Sequence, residues 1–551
     1  MVVSIASGQL ASFRVVAMSG DPAPGTTDMF EGFSTPVVSR DGSVLFRGGT
    51  DALFDDSGLW VEHGGVLTAV ALEGEDAALG DGSIFDSFLS YSQSLFVADG
   101  GVALFRAKLR RFSAGVTDEN DDGLWINSGA GTVAIAREGD TPDGLGGAVA
   151  FPPNEIESIA ALGVSGVALS RLLVDLPPLA AGEADAESLW MPDAPLFVPG
   201  DIAPGVGGDR FVSFSQPSVN PLGSVAFVGT LDGSIVRSEG VWTGPIDSLN
   251  VIARAGNPAV GVDNAVYRNF YEVSLNEAGD AAFRGLLITD DGSREWALWA
   301  GRRGAIRLVA REGQPAAGVE GGLFGQFITF AAMSAEGALF QSTLQNGPGG
   351  VTSTNNTGIW IEQDGELRLI VREGDEAPGA NGATFNFLTR ATANRRGDVA
   401  FRARVVLDGD PREGIWVYHA SLDRLVPVVL EDDLIDVDPD PGSELLRRVR
   451  TLSFAMGSGG QDGRASGFGD EGNLVFHANF LGESSAVIAA TLPCDGADLA
   501  QPYGTHDIAD VVEFLSLFGA GDLGADLAAP SGTLDIADVV AFLQIFGAGC
   551  P

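Results

Sequence analysis

Apolar residues along this chain fall in short runs punctuated by Gly, Pro, Asp and Asn, which is the signature of strands and turns rather than helices. The runs repeat. Aligned, they give copies of one unit with three marked phrases, clearest in Arg372-Glu373-Gly374-Asp375-Glu376-Ala377-Pro378-Gly379, then Asn394-Arg395-Arg396-Gly397-Asp398-Val399-Ala400-Phe401-Arg402, then Gly414-Ile415-Trp416. The first phrase returns around Gly20, Gly74, Gly139, Gly200, Gly256 and Gly313, with Glu431-Asp432-Asp433 as a worn eighth copy. The spacing is roughly 54 to 65 residues, as suits one propeller unit with its loops.

The second phrase sets a glycine just ahead of an aromatic residue: Gly42 and Phe46, Gly101 and Phe105, Gly223 and Phe227, Gly279 and Phe283, Gly337 and Phe340, Gly397 and Phe401, Gly472 and Phe476. Copy three has Gly166 and Ser170, so its Phe is lost. The third phrase ends on Trp60, Trp125, Trp190, Trp242, Trp299, Trp360 or Trp416, seven of the eight tryptophans in the protein; Ala486-Val487-Ile488 replaces it in the last copy. A repeated tryptophan is either a sugar-stacking ring or a large residue packed between sheets, and uniform placement inside an apolar strand favours packing.

Each copy supplies four strands, which in copy seven are 384–388, 398–405, 414–418 and 424–430. Such a sheet is too small to stand alone, so the expectation is a mainly β fold: a β-propeller of about eight four-stranded blades over residues 13–492. The chain opens on Phe13 to Met18, which matches a fourth strand, while the last copy supplies only three. An N-terminal strand should therefore complete the last blade, pairing Val15 to Ala17 with the strand near Val487 and hiding its edge. Alternating strand direction puts the tight turns on one face. The long connections, at 111–122, 174–187, 345–357 and 408–413, lie on the other, which is the candidate binding surface.

The Asn-x-x-Gly-x-x-Ala-Phe pattern at Asn220 to Phe227, Asn276 to Phe283 and Asn394 to Phe401 resembles the tandem-repeat "choice-of-anchor" family of bacterial exported proteins. That resemblance implies a repeat scaffold joined to an interchangeable surface anchor, with no ligand or catalysis attached to it.

From residue 493 to 551 the pattern changes to two near-identical halves, each an Asp-rich loop leading into an amphipathic helix. Asp498 to Leu515 matches Asp526 to Leu543, and Cys494 and Cys550 bracket the whole. A cysteine pair closing one small module reads as a disulfide in an oxidising compartment. This segment resembles a dockerin, a small helical anchoring domain. By position, the resemblance implies Ca²⁺ held by Asp498, Asp507 and Asp510 in one loop and by Asp526, Asp535 and Asp538 in the other. It also implies a cohesin-like protein or envelope component docked at Ile508 with Ala509 and Ile536 with Ala537. The loops depart from the pattern: each has an extra residue, and Ala500, Pro502, Ala528 and Pro530 stand where side-chain oxygens are usual, which weakens the case for Ca²⁺.

The formal charge of −42 argues against nucleic acid or an anionic membrane as partner, since both require clustered Lys and Arg. No apolar run is long enough to span a bilayer. Residues 1–12 lack the basic start of a secretory signal, so the signal is expected to lie upstream or to have been removed.

Catalytic resources are few. His63, His419, His477 and His506 are scattered without metal-ligand spacing. Asp21, Asp140, Asp201 and Asp375 would share one rim and invite a glycosidase reading, but Asp beside Gly and Pro is first of all a turn former. Acidic stretches at 118–122 and 431–440 either hold Ca²⁺ or are simply solvated. The leading expectation is a secreted or surface-bound, non-catalytic propeller with no catalytic residues, presenting a variable acidic loop face. A polysaccharide-acting propeller enzyme and a structural surface-layer component are the alternatives.

Overall fold

The computed structural model describes residues 11–550 except 90–93, 142–147, 151–159, 163–167, 176–184, 192–194, 216, 233–237, 336, 364, 408, 439–442, 458–460, 502 and 529–531. Gly166 and much of the 174–187 connection therefore lie outside the described residues.

The strands gather into eight antiparallel sheets, of which seven are each cut from one continuous stretch of chain: residues 30–72, 85–137, 148–197, 211–254, 265–311, 324–372 and 385–430. The remaining sheet is composite. Its strands Leu434–Asp436, Leu446–Ser453, Asn473–Phe480 and Ser485–Thr491 are completed by Ser12–Met18 from the other end of the chain. Val15 lies opposite Ile488 and Ala17 opposite Val487, the expected closure. Third strands pack on the first strands of the following sheet, and the ring closes where Ser485–Thr491 meets Phe30–Phe33. The protein is a β-propeller.

Strand number departs from four in several sheets. The first strand is broken in two in the sheets at residues 30–72, 85–137, 148–197 and 211–254, whereas Ala265–Leu275 and Phe385–Ala393 run through with register shifts. Of the 408–413 segment, expected as a variable loop, Asp408 lies outside the described residues and 410–413 are strand, with Leu407 facing Asp410.

The repeated phrases build a Phe–Trp cluster in six of the sheets. Phe46 lies opposite Trp60 across neighbouring strands, and their rings stack at 6.4 Å; Phe227 on Trp242 (5.9 Å) and Phe401 on Trp416 (6.4 Å) repeat the arrangement. A third ring from the first strand meets each tryptophan edge-on, as Phe30, Phe211, Tyr267 and Phe385 do. The cluster explains the glycine of the third phrase, since a Cβ on Gly414 would stand 2.7 Å from the Trp416 ring. The indole nitrogens complete the tie: Trp60 Nε1 donates to the Pro24 carbonyl, Trp242 to Pro204 and Trp416 to Pro378. All three tryptophans are fully buried, so packing is their role and no ring of exposed indoles exists.

Two asparagines of the second phrase, Asn220 and Asn276, serve two turns at once, whereas the Asn394 side chain bonds only to Asp398 of its own turn. Asn276 Oδ1 accepts the Asp280 amide of its own turn, and Nδ2 donates to the Ser334 carbonyl of the next sheet. Asn220 does likewise, accepting from Leu222 and Ser224 and donating to the Asn276 and Glu277 carbonyls.

The centre of the ring is filled by the chain itself. Where other sheets turn briefly between first and second strand, the composite sheet inserts residues 454–472. Asp462 Oδ2 accepts from Ser274 Oγ at 2.9 Å, Arg464 Nη2 donates to the Val273 carbonyl at 2.8 Å, and the Ser466 carbonyl accepts the Val38 amide at 2.8 Å. Asp470 Oδ1 accepts the Arg395 amide, and Arg40 reaches Glu277 beside the same plug. The plug thus bonds to the sheets at 30–72, 265–311 and 385–430.

Candidate functional site

The C-terminal segment folds as two 13-residue helices, α1 (Ile508–Ala520) and α2 (Ile536–Ala548), packed through stacked Phe514 and Phe542 at 4.2 Å. Cys494 and Cys550 form a disulfide. Val511, Leu517 and Phe518 join the core from α1, and Val539, Ile545 and Phe546 from α2.

The helix starts account for four of the six aspartates considered as metal ligands. Asp507 and Asp535 are N-caps, accepting from the Ala509 and Ala537 amides, and each forms a reciprocal capping box with Asp510 or Asp538. Asp510 is buried and its oxygens are occupied: Oδ1 accepts the Leu499 and Ala500 amides and Oδ2 the Asp507 amide, each within 2.8 Å. Asp538 repeats this with Leu527, Ala528 and Asp535. Those amide bonds hold the Asp538 carboxyl below the usual range. Asp498 Oδ2 accepts the Cys494 and Gly504 amides, leaving Oδ1 of Asp498 and Oδ1 of Asp526 as the buried oxygens without a partner.

A calcium ion needs six to eight oxygens. Among the described residues, each loop has one buried carboxylate oxygen without a partner, and backbone N–H groups are directed at the carboxylate that would close the site. Among the described residues, backbone hydrogen bonds to Asp510 and Asp538 occupy the carboxylates that the dockerin resemblance assigns to Ca²⁺. Burial pushes the Asp498 carboxyl up to about 6.

The opposite faces of the helices are apolar and open. Ile508 (74% exposed), Val512 and Leu515 line α1, while Ile536 (73%), Val540 and Leu543 line α2. The i, i+4, i+7 spacing puts each trio on one face. The same positions recur in both halves. Ala509 and Ala537, each beside its isoleucine, are half-buried. Around these stripes the module has no Lys or Arg, against eight Asp and one Glu. Sequence reading reached Ile508 and Ile536 but not the rest of each stripe, although the spacing of Val512, Leu515, Val540 and Leu543 carries the signal.

On the propeller, the rim carboxylates are committed to their own turns. Asp21, Asp201 and Asp375 each accept the backbone amide three residues before them, from Met18, Val198 and Arg372. Burial raises the carboxyls of Asp21, Asp140 and Asp375. The glycine beside each is left-handed, and Asp432 takes that conformation in the worn copy (φ 76°). The acidic stretch at 118–122 is neutralised from within: Asp122 makes a two-point contact with Arg106, and Asp121 pairs with Lys108 and Arg111. Asp436 in the second stretch accepts two amides of its own loop. Among the described residues, neither stretch gathers free carboxylates around a common centre.

A cavity of about 630 Å³ opens at the seam between the composite sheet and its neighbour, lined by Glu31, Thr35, Arg47, Ser453 and His477 among others. His477 Nε2 is buried there without a partner, and burial lowers its pKa to about 4, so the ring is neutral. His419, fully buried, bonds the Pro493 carbonyl and anchors the junction between propeller and module. His506, set aside as isolated on sequence grounds, stands against the disulfide, with Nε2 3.6 Å from Cys494 Sγ.

Among the described residues no helix is long and apolar enough to cross a membrane. No curated protein matches the chain. Among solved structures it is similar to a puromycin-hydrolysing peptidase of Mycobacterium tuberculosis, at 13% identity over 86% of this chain and 62% of that one, with a TM-score of 0.36. The chain thus spans less than two thirds of that peptidase's length. It is also similar to an oligogalacturonate lyase in complex with manganese (11% identity, 75% and 98% covered, TM-score 0.33). A further similar structure is the β-propeller domain of the Trilobed protease from Pyrococcus furiosus, of open velcro topology (8%, 73% and 98%, TM-score 0.35). Likeness at this level carries no argument about activity. A family description does match, over residues 3–348 and 289–492, two stretches that overlap as a repeat would and stop where the helical module begins; the chain belongs to the family of unknown function DUF7453.

Proposed function

We propose that this protein is an exported, non-catalytic propeller that its C-terminal module attaches to a protein partner at the cell surface, leaving the loop face of the propeller free to bind. The observation that carries this reading is the duplicated apolar stripe, Ile508-Val512-Leu515 and Ile536-Val540-Leu543, open to solvent on a module whose core is already filled. Exposed apolar residues in a repeated, ordered array mark an interaction surface. The absence of Lys and Arg around it suits a partner with an apolar centre and a basic rim. The resemblance to dockerins makes that partner cohesin-like, and the family match ending at residue 492 supports a separable scaffold and anchor, as in the choice-of-anchor proteins. A disulfide accords with an extracellular site.

The test is capture by the full chain of purified cohesin-like domains or envelope protein from the source cell. One-to-one binding that is lost in the Ile508→Lys, Ile536→Lys double variant, with helicity retained, supports the reading. Unchanged capture overturns it. Self-association abolished by the same substitutions overturns it too, since the stripes would then be an interface between copies.

A further inference from the structure

The disulfide does not stand alone. Cys494 Sγ, Cys550 Sγ and His506 Nε2 lie within 4.8 Å of one another, and His506 Nε2 is also 2.9 Å from Asp495 Oδ1. Two sulfurs, an imidazole nitrogen and a carboxylate oxygen converge on one point, a ligand set of the kind that holds a tetrahedral thiolate-bound metal.

The spacing fits such an ion. With metal–sulfur and metal–nitrogen bonds of ~2.3 and ~2.0 Å, tetrahedral geometry sets the sulfur and nitrogen ~3.6 Å apart, and Cys494 Sγ to His506 Nε2 is 3.6 Å. The two sulfurs must separate to ~3.8 Å for the same geometry. Their Cα atoms are 5.6 Å apart, and Cys550 follows the end of α2, so this is a small movement of the terminal turn.

The histidine is already oriented as a ligand. Its Nδ1 is 3.2 Å from the Phe546 carbonyl, and the ring stacks on the Phe546 side chain at 5.2 Å. In the oxidised chain Nε2 donates to Asp495 Oδ1; moving that proton to Nδ1, where the Phe546 carbonyl accepts it, frees the Nε2 lone pair for a metal, the outer-sphere arrangement found behind metal-bound histidines.

We propose that the module carries a redox-gated metal site, closed while Cys494 and Cys550 are joined and, once they are reduced, binding one Zn²⁺ or similar borderline-soft divalent cation through Cys494, Cys550, His506 and Asp495. The chemistry balances. A phosphine reductant takes an oxygen atom from water, its electron pair and the two water protons convert the S–S bond to two thiols, and metal binding displaces those two protons. The metal then clips the end of α2 to the first loop, the same two points that the disulfide joins. The module keeps its shape in either state.

The experiment uses the full chain, oxidised or reduced with a phosphine and freed of excess reductant, titrated with Co²⁺ as a spectroscopic stand-in. The expected result is one Co²⁺ per reduced chain, with thiolate-to-metal charge-transfer absorption, intense tetrahedral ligand-field bands, and displacement by Zn²⁺. The oxidised chain should show none of these. Asp495→Asn and His506→Ala should each weaken binding at least tenfold, and Glu513→Gln should leave it unchanged. Circular dichroism of each oxidised variant reports folding, and Asp495→Asn, close to isosteric, decides the matter if His506→Ala unfolds. A reduced chain without charge-transfer absorption, or binding indifferent to Asp495→Asn and His506→Ala, overturns the proposal.

Discussion

Replacing Asn276 tests whether the repeated asparagine is a lock between sheets rather than a turn former alone. Asn276 is 2% exposed, with Oδ1 on the Asp280 amide at 2.9 Å and Nδ2 on the Ser334 carbonyl at 3.1 Å. Asn276→Ala strands both partners, and a buried polar group left unpaired costs ~1–3 kcal/mol. The loss should therefore be about 2–5 kcal/mol. Asn276→Asp separates the two roles, because it keeps the acceptor for Asp280 but sets a second oxygen against the Ser334 carbonyl. Ionised, it should cost at least as much as alanine; protonated, it donates again and recovers, so its deficit should shrink as pH falls. A scaffold of ~480 residues melts with a large entropy, and each kcal/mol moves its midpoint by only about 1 °C, so the sharper assay is local. Hydrogen exchange of the 276–280 turn amides should quicken ~30-fold for a 2 kcal/mol loss. If Asn276→Asp exchanges like the wild type at neutral pH, the bond to Ser334 contributes nothing and the lock is refuted.

Four further outcomes follow from the same geometry. Phe13, buried in the closing strand and edge-on to Phe476 at 6.1 Å, should cost ~3–5 kcal/mol as Phe13→Ala, and limited proteolysis should then release the N-terminal strand before any other; cleavage elsewhere first would count against closure. Trp416→Phe should cost less than Trp416→Ala in chemical denaturation, because it keeps most of the ring volume while orphaning the Pro378 carbonyl. Burial raises the plug's Asp470 carboxyl to about 6 from 3.8, so the folded state holds that proton more tightly: its contribution to stability is full below pH ~4 and lost as pH rises through ~6. Asp470→Asn should therefore stabilise by about 2–3 kcal/mol at pH 7 and by little at pH 4, and an equal effect at both would contradict the assignment. Chelation should leave melting of the module unchanged, and a calorimetric heat with millimolar Ca²⁺ would show that the loops bind what their backbone bonds exclude.

The scaffold was legible in the sequence because its framework residues repeat. Phe401 and Trp416 stack across adjacent strands in one sheet after another, and Gly414 must leave room for the ring beside it. Each constraint recurs in most copies, so alignment exposes it. The closing strand was legible through a deficit, three strands where four are needed. The first-strand ring of the aromatic cluster was missed because Phe30, Tyr267 and Phe385 vary in identity and sit in a strand broken by bulges. The 454–472 plug was missed for a related reason: it occurs once, and its contacts are with residues as far off as Val38 and Val219. His506 looked isolated because its ligand-like neighbours, Cys494 and Cys550, are brought to it only when the two helices pack.

The plug also changes where binding must occur. A propeller with an open axis can gather side chains from every sheet around one central site, the arrangement that would make rim aspartates a catalytic pair. Here Asp462, Arg464 and Ser466 occupy the axis and use up the inward-facing groups of several sheets, while Asp21, Asp201 and Asp375 close their own turns. What remains free is peripheral. The connections at 111–121 and 345–356 both join a second strand to a third, and the exposed helix stripes lie on an appended module. Those two surfaces belong to separate units of the chain, so a partner can be exchanged at either without disturbing the other. Under the function proposed above, that separation is the physical content of a scaffold joined to an anchor, and the Ile508→Lys, Ile536→Lys variant, expected to lose capture of the proposed partner yet leave the propeller's melting unaltered, measures it directly.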